Sequence, residues 1–275
     1  MIQFPNAKIN IGLQVLKKRA DGFHELSTVF YPVNYTDCLE IRPSDAFAFE
    51  SYHKPIPGKA EENLCVKAYT YLKAKHNLPP VHIKLVKNIP MGAGLGGGSA
   101  DGAFCLKMLN ELFELGYKAE ELERIALTLG SDCAFFIRNQ PALAGGLGEK
   151  LSPIDLDSQL SNLEILVVYP KISIPTLEAY QHIRPNPEQA NLAELIQLPV
   201  TSWKGQIHNN FEDYAFQKYP ELTKIKTDMY DLGAVYASMS GSGSAIYGFF
   251  PKISQKTLGH FQSFEFYSSS QYPHA

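Results

Sequence analysis

The sequence predicts an α+β protein of two domains. Three observations carry this. Strand-like and helix-like segments are mixed without the strict β-α-β-α order that a doubly wound sheet requires. A strand, a glycine-rich loop and a helix follow one another between residues 81 and 113. A polar stretch, residues 152–162 with Pro153, Asp155 and Asp157, then interrupts the pattern before a fresh strand begins. The expected domains are residues 1–155 and 156–275.

In chain order, residues 8–16 alternate. Ile9, Ile11, Leu13 and Val15 face one way and Lys8, Asn10, Gly12 and Gln14 the other, which predicts a strand with one polar face. A turn at residues 19–22 leads through Phe23 and His24 to a second strand over 26–35, and a third lies near 38–42. Residues 51–59 read as a Pro/Gly-rich loop, and 61–76 as a helix with Leu64, Ala68, Tyr71 and Leu72 on one face. Residues 81–86 alternate as a strand. After the glycine loop, Ser99 is the expected N-cap of a largely buried helix. A second helix is expected over 118–129, a short buried strand over 133–137, and two strands within 141–153. The second half restarts with a strand at 163–169, and three prolines between 185 and 199 mark irregular or short helical structure. Two helices broken at Pro220 fill 211–232. Strands at 234–238 and 245–250 flank a second glycine-rich turn, and a last helix and strand reach about Tyr267, with a loose tail from Ser268.

Composition narrows the function classes. Of 275 residues, 45% are hydrophobic and 19% charged, with a net charge of −3, so broad nucleic-acid binding is not expected and an anionic ligand must be drawn by a local field. No apolar run approaches the roughly 18 residues of a membrane span, and the N-terminus lacks a secretory pattern, so a cytoplasmic protein is expected. Cys38, Cys65, Cys105 and Cys133 form no CxxC and each lies in an apolar stretch, which predicts buried free thiols and no zinc site.

The stretch PMGAGLGGGSADGA, residues 90–103, holds six of the 20 glycines. Glycines permit positive φ and remove Cβ atoms, so several backbone N–H groups can face one anion, and the following helix adds positive potential there. A flexible linker would be polar and serine-rich on both sides, whereas this loop is bounded by a strand and a helix. There is no GxxxxGK[ST], so it is not a Walker loop, and no acidic ribose partner ends a strand about 20 residues on, which argues against a dinucleotide fold.

Other residues are ambiguous taken singly. Lys8 and Asn10 share a strand face, which suits a surface pair as well as a site. Asp132, in GSDCAFF, reads either as a polar turn residue or as a partly desolvated carboxylate needing a cation such as Lys8 to stay ionised. Phe23, His24 and Tyr180 fit core filling as well as a binding face. The Gly/Ser turn over 239–244 is a weak signal.

Residues 90–101, PMGAGLGGGSAD, resemble the phosphate loop of the GHMP kinases, the family of galactokinase, homoserine kinase, mevalonate kinase and phosphomevalonate kinase. The form GLGGGSAD is similar to one branch, whose acceptor is a cytidine-diphosphate sugar alcohol of the non-mevalonate isoprenoid pathway. The resemblance runs from Lys8 to Phe250 with the motifs in order. It implies a ribosomal-protein-S5-domain-2-like N-terminal domain that binds ATP and a ferredoxin-like C-terminal domain. It further implies ATP at Pro90, Met91, Gly92, Ala93, Gly94, Leu95, Gly96, Gly97, Gly98 and Ser99, with Asn63 and Lys87 lining the adenosine site. Lys8 and Asp132 match catalytic positions, Asp132 as the base for the acceptor hydroxyl. Asn10, Phe23, His24, Tyr180 and Gly241 match the substrate side: two aromatics stack on cytosine, at about 1–3 kcal/mol per contact, and His24 hydrogen-bonds its edge. Phe23 stands where tyrosine is common and Tyr180 where phenylalanine is common, and both keep an aromatic face. No Asp/Glu cluster forms a protein cage for a metal, which suits Mg²⁺ held mainly by phosphates. Asn209-Asn210-Phe211-Glu212 resembles a further family segment to which the sequence gives no role, and residues 185–205 match no pattern. The expected partners are ATP and a cytidine-diphosphate sugar alcohol, with no nucleic acid and no membrane. The competing readings are a homoserine- or mevalonate-type kinase and a non-catalytic nucleotide-binding homologue.

Overall fold

The computed structural model describes residues 1–271, and the last part of the expected loose tail lies outside them. In chain order the elements are β1 (Ile2–Gln3), β2 (Asn6–Lys18), β3 (His24–Thr36), β4 (Cys38–Pro43), β5 (Ala48–His53), α1 (Leu64–His76), β6 (Val81–Lys87), α2 (Gly97–Leu112), α3 (Ala119–Leu129) and α4 (Phe135–Arg138). They continue as β7 (Ala142–Gly146), β8 (Lys150–Pro153), α5 (Asp157–Leu160), β9 (Glu164–Tyr169), α6 (Thr176–Gln181), α7 (Leu192–Leu195), α8 (Phe211–Lys218), α9 (Pro220–Asp231), β10 (Tyr236–Met239), β11 (Ile246–Phe250), α10 (Gln255–Phe261) and β12 (Glu265–Ser268). Strands and helices are interspersed irregularly, as an α+β protein requires.

The chain folds as two compact units. One comprises Met1–Lys8, Pro32–Met91 and Gly96–Gln140; the other comprises Ile9–Tyr31, Gly92–Leu95 and the chain from Pro141 onward. In the first unit the sheet order is β1-β4-β6-β5, with β5 parallel to β6 and the other pairs antiparallel. Along β6 the period of two buries Val81, Ile83 and Leu85. Lys87 continues that row, so the strand drives a lysine into the interior. Helices α1, α2 and α3 pack together, α3 through Leu122, Ile125 and Ala126 at helical spacing.

The second unit contains the antiparallel sheet β10-β11-β9-β12. Its core joins Leu166 and Val168 of β9, Ile246 and Phe250 of β11, Phe211 of α8, Leu222, Ile225 and Met229 of α9, and Phe261 of α10. Another sheet runs β2-β3-β7-β8.

The structure corrects several sequence expectations. Residues 133–137 are not a strand: a 3₁₀ turn, Ser131–Cys133, runs into the helical turn α4, whose buried Phe135, Phe136 and Ile137 pack near α2 and α3. A short apolar run carries no period of its own, and helical neighbours decide it here. Helix α2 starts at Gly97 with Gly96 as its left-handed N-cap, not at Ser99. The expected loop at 51–59 yields its first three residues to β5, an exposed strand without apolar alternation. The polar face of β2 is not a solvent face: Lys8, Asn10 and Gln14 are buried with the apolar row.

Candidate active site

In the first unit the site grows from the buried face of β2. Lys8 is 4% exposed, and its ammonium lies 3.4 Å from Oδ2 of Asp132, whose side chain is 32% exposed. Burial lowers the Lys8 pKa below the ordinary lysine value, and the Asp132 charge and hydrogen bond oppose that. The 3₁₀ turn before α4 delivers Asp132, and the apolar residues that follow fix that turn. Burial also pushes the neighbouring Cys133 thiol up to about 11, which makes it a poor nucleophile.

The glycine loop meets this pair at Gly96. Its φ of +70° suits glycine, and a Cβ there would sit 3.0 Å from Lys8 Cγ and from the Phe136 ring. The loop backbone therefore rests against the lysine stem. Gly96 caps α2 without a side-chain hydrogen bond, so the amides of the first turn are not taken by a capping side chain. Gly98 is exposed, and Ser99 is half-buried in that turn.

Lys87 lies beneath the loop. It is 1% exposed and pairs with Asp37 and, at 2.8 Å, with Asp101 of α2. A Cβ on Gly97 would come within 2.9 Å of its ammonium. Asp37 also accepts from the backbone N–H of Asn88 and Ile89, at 2.5 and 2.8 Å. Burial pushes the Asp101 carboxyl up to about 8, against the pull of Lys87 and with the help of Asp37. At neutral pH the neutral form of the Asp101 carboxyl is therefore favoured beside the Lys87 ammonium. Burial works against the Lys87 charge, but its two carboxyl partners outweigh that and raise its pKa. The structure thus places Lys87 beneath the loop with its charge already partnered. Asn63 caps α1, its Oδ1 accepting from Cys65 N at 2.9 Å.

In the second unit the Gly92–Leu95 limb of the loop is tied to the Gly/Ser turn. Ala245 N donates to Ala93 O at 3.1 Å, and Ser240 Oγ donates to Gly94 O at 2.8 Å. Gly94 has φ +78°, and a Cβ there would strike the Ser240 carbonyl. Asn10 N donates to Ser240 Oγ at 3.2 Å, Asn10 Nδ2 to Thr28 Oγ1 at 3.0 Å, and Tyr247 Oη to Asn10 O at 2.9 Å. A Cβ on Gly241 would lie 3.3 Å from Asn10 Oδ1. Asn10, Gly94 and Ser240 thus form one hydrogen-bonded group, with Gly241 packed beside it.

A separate aromatic group also belongs to this unit. The His24 and Tyr180 rings stack at 5.1 Å with 18° between planes, and Phe211 meets Tyr180 edge-on at 4.9 Å. Phe23 is 61% exposed, on the turn where Arg19 N donates to Phe23 O and Phe23 N to Asp21 Oδ1. Burial, aided by the Lys18 charge, lowers the His24 pKa below the ordinary value. A neutral ring both donates and accepts, the capacity needed to read a pyrimidine edge.

Asp37, Asp101 and Thr28 were not singled out from sequence. The available signal was the phase of β6, which places Lys87 in an apolar row and so demands buried carboxylates.

Residues 63–140 match the GHMP kinases N terminal domain and residues 177–260 the GHMP kinases C terminal domain. The chain is 50% identical over 254 residues to a 4-diphosphocytidyl-2-C-methyl-D-erythritol kinase of Bacteroides thetaiotaomicron, covering 91% of this chain and 92% of the relative. It is 46% identical over 266 residues to the protein of that name from Cytophaga hutchinsonii, covering 96% and 98%. A crystal structure of 4-(cytidine 5'-diphospho)-2C-methyl-D-erythritol kinase superposes with a TM-score of 0.82 at 33% identity, covering 98% of each chain. The chain belongs to the GHMP kinases, on the branch of the 4-diphosphocytidyl-2-C-methyl-D-erythritol kinases.

Proposed function

We propose that the protein is an ATP-dependent kinase that phosphorylates the 2-hydroxyl of 4-diphosphocytidyl-2-C-methyl-D-erythritol, in the non-mevalonate route to isoprenoid precursors. The observation that carries it is the buried Lys8 ammonium, 3.4 Å from Asp132, with Gly96 of the glycine loop packed on its stem. Phosphoryl transfer is mainly positioning and charge stabilisation, and this group supplies both. Asp132 accepts the hydroxyl proton. Lys8 pairs with Asp132 and offers positive charge to the reacting oxygens. The loop from Pro90 to Ser99 holds the triphosphate through backbone N–H groups, with Asn63 and Lys87 supporting the nucleotide side. Asn10, Gly241, Phe23, His24 and Tyr180 serve the acceptor, with the aromatic group taking the cytosine.

Among the described residues no group of three or more His, Cys, Asp or Glu could hold a metal ion. A Mg²⁺ ion needs only one or two carboxylates besides phosphate oxygens, which suits an ion held mainly by the nucleotide. Bound to the nucleotide, it would supply charge neutralisation on the phosphates. Free thiols at Cys38, Cys65, Cys105 and Cys133 suit work in a reducing cytoplasm.

The test is ADP release from ATP and Mg²⁺ with 4-diphosphocytidyl-2-C-methyl-D-erythritol, beside mevalonate and homoserine. Turnover with the cytidine compound alone is expected. Turnover with another alcohol instead would remove the cytosine role of the aromatic group. A folded protein that binds ATP but turns over none of them would be a nucleotide-binding homologue.

A further inference from the structure

The segment from Asn209 to Glu212 has no role in the chemistry described above, yet it is built into the second unit with unusual completeness. It runs beside β2, with Leu13 N donating to His208 O at 2.9 Å and Asn210 N to Leu13 O at 2.8 Å. Asn209 is 2% exposed. Its Nδ2 donates to Met239 O at 2.7 Å and to Gly241 O at 2.8 Å, and its Oδ1 accepts from Phe211 N at 3.0 Å. Both amide protons are thus spent on two carbonyls of the Gly/Ser turn. Glu212 completes the grip: its Oε1 accepts from Met239 N at 2.8 Å and Ser238 Oγ at 2.9 Å, and Lys226 balances its charge at 2.6 Å.

Met239 and Gly241 are the two neighbours of Ser240. Ser240 is the residue whose hydroxyl bonds Gly94 O and whose carbonyl would collide with a side chain at Gly94. Asn209 therefore holds Ser240 from both sides, and Ser240 holds the Gly94 limb of the glycine loop. Resting on the kinase reading above, we propose that Asn209 is a positioning residue for phosphoryl transfer, fixing the Met239 and Gly241 carbonyls and, through Ser240, the Gly94 limb of the phosphate-binding loop. It touches neither nucleotide nor acceptor. Its effect falls on ATP, because Gly94 belongs to the nucleotide loop, and not on the cytidine-reading aromatics.

The test compares Asn209→Asp, Ser240→Ala and Tyr230→Phe. Asn209→Asp keeps the shape but turns a carboxylate oxygen toward two carbonyls. Ser240→Ala cuts the link to Gly94. Tyr230→Phe is the control for general loosening: it removes bonds to Ala237 O and N, at 3.2 and 3.1 Å, in the same strand β10. For each, KM for ATP, KM for the acceptor, kcat, thermal midpoint and ATP affinity by calorimetry without acceptor are measured. The expected result is an ATP affinity weakened about tenfold in Asn209→Asp and in Ser240→Ala, with a smaller rise in the acceptor KM, since Gly241 and Asn10 border the same turn. Tyr230→Phe is expected to keep the ATP affinity within about twofold at a similar loss of thermal midpoint.

An Asn209→Asp effect no larger than that of Tyr230→Phe overturns the proposal, as does a parallel rise of both KM values. If Asn209→Asp does not fold, Ser240→Ala decides alone, and an unchanged ATP affinity there overturns it. Wild-type protein that binds ATP but turns over no alcohol sinks the kinase reading while calorimetry on the variants still reads the positioning role. Wild-type protein that binds no ATP overturns both.

Discussion

Lys8 Nζ lies 3.4 Å from Asp132 Oδ2, and the pair is lopsided: the lysine side chain is 4% exposed and the aspartate 32%. The cation is fixed from within, and the carboxylate faces where an acceptor can reach it. An ammonium this buried needs its partner. Burial already lowers its pKa, and Asp132 is what holds it up.

Asp132→Asn is therefore expected to lower kcat by about 10²–10⁴-fold with little change in either KM. Without the carboxylate, Lys8 loses its proton more readily. The alkaline fall of any residual activity should thus move to lower pH than in wild type. Steady-state rates across pH read both effects, and near-normal turnover by Asp132→Asn would remove the assigned role.

The aromatic group should act on binding. Tyr180→Ala and Phe23→Ala are expected to raise the acceptor KM by roughly 5- to 100-fold, leaving kcat and the ATP KM near wild type. His24 adds a pH signature. Its pKa is lowered, so the neutral ring persists below the ordinary histidine value, and protonation then removes its acceptor nitrogen. The acceptor KM should be flat from about pH 7 to 8 and rise only as pH drops below about 6.5. His24→Gln should abolish that rise, and an unchanged rise in this variant would assign it to another group.

Some of this was legible in the chain and some was not, for identifiable reasons. The glycine loop stood out because its neighbours announce themselves: β6 alternates and α2 is apolar. Lys8 and Asp132 could each be named but not paired by pattern alone, since they are far apart in sequence and only the fold brings them together. The Ser99 cap failed because a glycine in the left-handed region replaces a capping side chain at Gly96. The 133–137 run is helical where a strand is expected, because four or five apolar residues fit a strand and a buried helical turn equally. Asn209 had no local signal, because its bonds go to Met239 and Gly241, in a distant part of the chain. Lys87 could have been read further: in phase with Val81, Ile83 and Leu85, it had to be buried and therefore paired.

Gly98 separates folding from ligand binding. It is exposed in the first turn of α2, and a Cβ there would meet nothing within 4 Å. Alanine is favoured over glycine within a helix by up to about 1 kcal/mol, so Gly98→Ala should fold with an equal or higher thermal midpoint. The new methyl would nonetheless cover amides that are to face a phosphate. ATP KM is expected to rise about tenfold or more, with the acceptor KM unchanged. An unchanged ATP KM would place the phosphates elsewhere. Gly96→Ala contrasts with this, since positive φ and contacts with Lys8 and Phe136 should cost both stability and turnover.

The buried Lys87, Asp37 and Asp101 cluster makes stability depend on pH. Asp101 has one carboxyl oxygen, Oδ1, without a hydrogen-bond partner among the described residues, an arrangement far less costly for a neutral acid than for a carboxylate. Its pKa is raised from the ordinary 3.8 to about 8. The fold therefore favours the protonated form, so its contribution is complete below the ordinary carboxylate value and is lost as pH climbs through about 8. Wild-type protein should lose thermal midpoint between about pH 5 and about pH 8.5 from this group. Asp101→Asn keeps the shape and a donor without the ionisation, so it should flatten that slope and overtake wild type in stability at the alkaline end. Because Lys87 would then keep its contact with Asp37, ATP affinity should change little at neutral pH. Thermal melts of the two proteins across this range decide the matter: parallel pH slopes would mean that Asp101 is already ionised at neutral pH beneath the glycine loop.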